Sequence, residues 1–413
     1  MSEFLAPINY DRARDVLRRL SVYTGYSPEG ANMALNILRQ CYPLVFQKME
    51  EKHFENDAVL LEYPGANVTG PLVFTAHLDV ARSQPVGAEL PLSVPLSRAH
   101  LVTLLEALEE ILRDGYCPVG NLMLAISMDG LGSGAGARSM AAHLKARKLN
   151  PCFILDYGGY ATMDAFRTYL PKDAPLALIG VAEKGEMQGV LWVKEEKRAA
   201  ERVIRAGRRL SRRQKRAALC PATQEMLRTL SRRAPMPQRW LAQHPRLFFP
   251  LMRLWWRRRS VMNQFFVSQR VITALRADGM PHAPATSASL SFRQTLVPGM
   301  DVERAARSLR LLAGRGVKLD VPVKIAPVPI SQRQGEAWDA LQTAIEIQFE
   351  RAVMAPCLCP FATDARYYST VSSHIYRFSP FMVTGQEALE GLCTITEGTL
   401  QTAVQFFRSM LSV

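Results

Sequence analysis

The succession of apolar runs between residues 56 and 159 constrains this chain more than any other feature. "NDAVLLEYPG", "GPLVFTAHLDV", "NLMLAISM" and "PCFILDYGG" are short and rich in Val, Ile, Leu and Phe. Between them lie "LVTLLEALEEILRDG" and "AGARSMAAHLKARKL", whose apolar residues recur at spacings of three and four. Near-continuous apolar strands alternating with amphipathic helices predict a mostly parallel sheet covered on both faces, an α/β layer structure. In such a sheet the ligand site lies beyond the carboxyl ends of the strands. His77, Asp79, Asp129 and Asp156 all fall at or just past such ends.

The flanks differ. Residues 10–53 read as helices. After Pro175, two strand-like runs join at Lys184-Gly185, followed by a basic helical stretch and then a strand, turn, helix and strand. This is an α+β unit inserted into the first domain. The chain returns with helix "GEAWDALQTAIEIQF", the segment "CPFATDARYYST", strand "SSHIYRFSP" and a last helix to Val413. The expected division is 1–182 and 326–413 for the α/β domain and 183–325 for the insertion, with basic helices over about 195–270. The length of 413 residues suits two to three domains.

Charge is concentrated. The chain carries +14 overall, yet Lys194–Ser260 alone holds 20 Lys/Arg against four acids. The bland reading is a solvated helical surface. The sharper one takes "RLFFPLMRLWWRRR", where Trp and apolar residues adjoin cations, as suited to an anionic membrane surface. Nucleic acid is not expected, because no recognition fold or stacking platform is visible. No stretch approaches the ~18 apolar residues of a membrane span. The start has no secretion-signal pattern. Seven scattered cysteines suit reduced thiols, so a cytoplasmic location is the expectation.

His77 and Asp79 fall on one side of a strand's end, because side chains alternate with period two. An imidazole oriented by a carboxylate suits metal binding. It equally suits a hydrogen-bonded structural pair.

In order along the chain, "YPLVFQKMEEKHFENDAVLLEYPG", "PLVFTAHLDV", "LLEALEEILRDGY", "FILDYGG", "LIGVAEKG", "SFRQTLVPGMDVE" and "TDARYYSTVSSHIYRFSPF" resemble one family. It is the di-zinc family of aminoacylase, carboxypeptidase S, acetylornithine deacetylase and succinyl-diaminopimelate desuccinylase. The carboxypeptidase S-like subgroup is the most similar. The resemblance implies a three-layer catalytic α/β domain holding two zinc ions, with an inserted ferredoxin-like lid that forms a homodimer. By this resemblance His77 is a metal ligand, Asp79 orients it, and Asp156 is a later acidic ligand. Asp129 takes the place of the water-activating glutamate. Arg293 lies near the substrate carboxylate, and Thr363, Asp364 and Arg366 line the same cleft.

The same resemblance puts Leu96 where a bridging aspartate belongs, with Arg98 at the nearby lysine. It puts Gly130 at a metal-binding glutamate and Glu390, within one residue, at a late histidine. The lid histidine has no counterpart in "VKEEKRAAERVIRAG". Two of five ligands remain, so at most one zinc ion is expected, or none, since catalytic zinc takes three protein ligands. Two functional readings follow. One is a pseudoenzyme that binds an acyl amino acid, a peptide or a partner. The other is an amidohydrolase with one metal rewired through His100 and Glu390. Asp129 otherwise reads as a turn residue, Asp156 as a strand-end cap, and His100 as a solvent-facing or helix N-terminal residue.

Overall fold

The computed structural model describes residues 9–412, except 24–27, 66–69, 81–85, 88, 116–119, 172, 195, 213–215, 218, 257–261, 263 and 281. The chain begins α1 (Tyr10–Ser21), α2 (Pro28–Cys41), α3 (Pro43–Lys48), β1 (Glu50–His53), β2 (Val59–Tyr63), β3 (Leu72–His77), β4 (Leu92–Pro95) and α4 (Leu96–Arg113). It continues β5 (Leu122–Ser127), α5 (Ala135–Ala146), β6 (Phe153–Thr162), β7 (Leu176–Glu183), β8 (Gly185–Val193), α6 (Ala199–Arg212), β9 (Arg216–Ala217) and α7 (Pro221–Ser231). Next come α8 (Gln238–Gln243), α9 (Pro245–Trp256), β10 (Val267–Ser268), β11 (Arg270–Ala277), β12 (Ala288–Leu296), α10 (Val302–Ala313) and β13 (Lys318–Ile325). The last elements are α11 (Glu336–Gln348), β14 (Val353–Cys359), β15 (Ile375–Met382), α12 (Gly385–Glu390), β16 (Leu392–Ile395) and α13 (Glu397–Leu411). Two compact units result: Met1–Val181 with Glu225–Gln243 and Ile330–Val413, and Ala182–Gln224 with His244–Pro329.

The first unit is built on an eight-stranded sheet of order β1-β2-β5-β3-β6-β15-β7-β14. Its four central strands β5, β3, β6 and β15 run parallel. Antiparallel pairing begins at β2 on one side and β7 on the other. Every residue of β3, β5 and β6 is buried, as a sheet covered on both faces requires. Alternation along the strands divides the side chains between the two covers. Val73, Met123 and Ile154 pack with Met140, Ala141 and Leu144 of α5. Phe74 instead meets Phe407 of α13, ring centroids 6.3 Å apart.

Two sequence expectations are corrected here. Glu50–His53 is not helical: it pairs antiparallel with β2, from Glu50↔Glu62 to His53↔Val59. A hairpin closed through the Glu55–Asp57 turn overrides local spacing. Segment 225–243, expected within the insertion, belongs with the α/β unit, where Glu225 pairs with Arg333.

The second unit has an antiparallel sheet of order β11-β12-β8-β13. With α6 after β8 and α10 after β12, this is the split β-α-β-β-α-β arrangement. Burial along β8 alternates strictly, and Met187, Leu191 and Val193 meet Val203 and Leu210 of α6 and Leu309 of α10. The basic helix α6, expected as part of an insertion, is therefore one of the two core helices. It buries its apolar stripe and turns its arginines outward.

Candidate functional site

Strand β3 ends at His77, and the next turn brings Asp79 back to it. Nδ1 of His77 lies 2.9 Å from Oδ1 of Asp79 and 2.9 Å from that residue's carbonyl oxygen. The parallel pairing His77↔Ser127 sets the loop after β5 alongside. From it the amides of Gly130 and Leu131 donate to the Asp79 carboxylate at 2.9 and 2.8 Å. On the other side of the ring, Nε2 lies 2.9 Å from the hydroxyl of Tyr157. That hydroxyl donates its single proton to the carbonyl of Ala362 at 2.9 Å. It therefore accepts from Nε2, and both ring nitrogens are donors, as in an imidazolium. Burial opposes the charge, but the hydrogen bond and charge of Asp79, with Asp364 and Asp156, hold the ring up at about 9.

A pH dependence follows. The folded value lies above the usual 6.5. The stability this gives is fully present below pH 6.5 and lost as pH rises through 9. Unfolding free energy is expected to fall by about 2 kcal/mol between pH 7 and pH 9 through this residue. Denaturant titrations at the two pH values check it, with His77→Gln expected to flatten the difference.

Around this pair the polar groups are buried and mostly committed. Arg98, 2% exposed, donates to the carbonyls of Leu78 (2.9 Å), Leu20 and Tyr23. It thereby holds the residue between His77 and Asp79. Burial pulls its pKa down to about 10 while the Asp79 charge resists. Asp156 accepts from the amides of Tyr157 and Ala365, both at 2.8 Å, which ties β6 to the Asp364–Thr370 turn. Asp364 accepts from Ser127 Oγ, and its Oδ1 is buried without a partner. Burial pushes this carboxyl up to about 7, against the pull of His77.

These residues do not fit a metal. Leu96 is aliphatic and buried at the first position of α4, and Gly130 has no side chain. Nε2 of His77, the nitrogen left for an ion once Asp79 holds Nδ1, faces the Tyr157 hydroxyl. Among the described residues no three His, Cys, Asp or Glu gather as ligands would. A Cβ at Gly130 would lie 2.6 Å from Cγ of His77 and 2.7 Å from its Cβ. Gly130→Ala is therefore expected to destabilise by about 1–3 kcal/mol through overpacking, read from the denaturant midpoint.

A cavity of about 450 Å³ opens beside His77. Asp79, Ser97, Tyr157 and Glu390 give it polar groups, and Phe361 and Leu392 are among its apolar walls. The other expected residues are placed as follows. Asp129 accepts from Asn56, Ser133 and the amides of Ala135 and Gly136, so its carboxylate organises its own loop and the start of α5. His100 is not solvent-facing. It is fully buried in α4 near Ser379 Oγ (3.2 Å) and edge-on to Phe407, and burial drops its pKa to about 3. Arg366 donates to the carbonyl of Thr363 at 3.0 Å, and both residues are buried. Arg293 belongs to the second unit, where it pairs with Glu186 at 2.7 Å. Sequence reasoning passed over Tyr157. The one signal for it was that a buried imidazole without a metal needs another polar partner.

Comparison with known proteins gives these likenesses. Residues 74–411 match peptidase family M20/M25/M40. The human N-fatty-acyl-amino acid synthase/hydrolase PM20D1 is 26% identical over 346 residues, 77% of this chain and 68% of that protein. The Dictyostelium discoideum probable carboxypeptidase S-like 2 is 22% identical over 390 residues, 88% and 74% of the two chains. Among solved structures, the M20 metallo-carboxypeptidase Sso-CP2 of Sulfolobus solfataricus has a TM-score of 0.66 at 11% identity, covering 97% of this chain and 98% of its own. Human carnosine dipeptidase 1 has a TM-score of 0.61 at 10% identity, covering 98% and 96%.

Proposed function

Because the chain belongs to peptidase family M20/M25/M40, we propose that it keeps the family's cleft as a binding site but does not carry out metal-dependent hydrolysis. The observation that supports this reading is the Tyr157 hydroxyl on Nε2 of His77. A tyrosine proton acceptor stands where the resemblance puts a cation, and a charged ring replaces a neutral ligand. The carboxylate expected to activate water is held by four hydrogen bonds, three from its own loop and the start of α5 and one from Asn56 in the turn before β2.

The ligand class is an acylated amino acid or a small peptide. Two relatives are named for N-fatty-acyl-amino acids and for carboxypeptidase S. Val80, Leu131, Phe361, Leu389 and Leu392 suit an acyl chain or apolar side chain, with Ser97 and Tyr157 as polar contacts. The alternative, a hydrolase with a single rewired metal, draws support from the retained His77, Asp79 and Asp156 and from Glu390, which lines the cavity with His77 and Asp79.

Elemental mass spectrometry on protein purified without chelator, beside His77→Ala, tests the reading. Less than about a tenth of an ion per chain is expected in both. Near one ion per chain, lost in His77→Ala, would sink the proposal and make N-acyl amino acids and dipeptides the substrates to screen.

A further inference from the structure

Three leucines stand in solvent along one face of α9. Leu247, Leu251 and Leu254 are 70%, 56% and 65% exposed. Spacings of four and three residues put them in one stripe, with exposed Pro250 beside them. The helix is anchored from its other side. Met252 is buried, and the ring of Phe249 packs on that of Phe266, centroids 6.0 Å apart. Single exposed leucines are ordinary, whereas a continuous apolar stripe marks an interaction surface.

Charge says what the surface meets. Residues 246–259 contain five arginines and no acid, and the nearest acidic residues in sequence are Glu225 and Asp278. Arg246 bonds to Gln224 (3.0 Å), at the start of the helix. Arg257, Arg258 and Arg259 follow in sequence and lie outside the described residues. A second copy of the chain would bring another five arginines with no acid in the same stretch of sequence. An anionic partner neutralises the arginines, and one with a hydrocarbon layer beneath its charges also receives the leucines. We propose that α9 lies in the interface of an anionic phospholipid bilayer, its leucine stripe inserted and the acid-free, arginine-rich sequence of 246–259 neutralised by the headgroups. The association is peripheral, since no described helix is long and apolar enough to cross a membrane.

Co-sedimentation of the whole protein tests this, using phosphatidylcholine vesicles with and without phosphatidylserine. Binding to the serine-containing vesicles is expected at low ionic strength and is expected to weaken with added salt. Leu247→Ser, Leu251→Ser and Leu254→Ser together are expected to weaken binding at least about tenfold. Their exposure leaves the fold intact, checked by an unchanged unfolding midpoint. Absence of binding at low salt overturns the proposal. So does undiminished binding by the triple variant, which would mean adsorption through charge alone. A leucine-dependent dimer without vesicle binding also overturns it and assigns the stripe to a second copy.

Discussion

Asp79→Ala is expected to cost the folded state about 3–5 kcal/mol, among the largest effects of any single substitution here. Asp79 is fully buried and serves three donors: His77 Nδ1 and the amides of Gly130 and Leu131. Alanine leaves a buried imidazolium without its nearest counter-ion and two amides without their acceptor. Removing one partner of a buried charge pair costs more than the pair contributes, because the remaining charge stays desolvated. Asp79→Asn separates the causes, since it keeps an acceptor oxygen and removes the charge. It is expected to fall between the wild type and alanine, and it serves if alanine does not fold. Guanidinium unfolding measures both. A loss under about 1 kcal/mol for alanine would contradict a doubly protonated His77, for that is the level of one neutral hydrogen bond.

Glu106→Ala is expected to lose a similar amount, about 3–5 kcal/mol, far from the cleft chemistry. Glu106 sits in the middle of α4, fully buried, and takes the Arg12 guanidinium through Nε at 3.0 and 3.1 Å and the Tyr42 hydroxyl at 2.9 Å. The same helix buries Glu109, which accepts the amides of Leu44 and Val45, and Glu110, which pairs with Arg408 at 2.9 Å. These carboxylates fasten α1, α3 and α13 to α4. Alanine at 106 strands Arg12, whose side chain is 14% exposed. Replacing the pair by Arg12→Met with Glu106→Leu is expected to recover most of the loss, since a well-packed apolar pair avoids the desolvation cost. If the double variant is as unstable as Glu106→Ala, the loss lies in packing around α4 rather than in the unpaired charge.

Much of the fold was legible because local patterns and tertiary demand agree. The apolar runs of β3, β5 and β6 leave no polar face, and only a sheet covered on both sides accommodates that. The strict alternation of β8 likewise states its single buried face. Short, polar β1 carries no such pattern and exists because β2 offers a hairpin partner. The pairing of β4 with β16 joins residues some three hundred positions apart, and neither strand announces it. In "LLEALEEILRDG" the glutamates read as the solvent face of an amphipathic helix, yet all three are buried. Their partners lie on segments that no helical period specifies.

At the site, the sequence by itself determined that His77 and Asp79 meet at a strand end and that side chains at 96 and 130 cannot ligate an ion. Those are properties of residue type and of the two-residue period of a strand. Only the tertiary structure decided which groups surround this pair. It brought the Tyr157 hydroxyl to Nε2, folded the Asp129 carboxylate into its own loop, and turned His100 onto Phe407 and Ser379. A hydrogen bond depends on tenths of an ångström between atoms from different strands. The packing of the whole sheet sets those distances, and residue type and spacing along one strand do not.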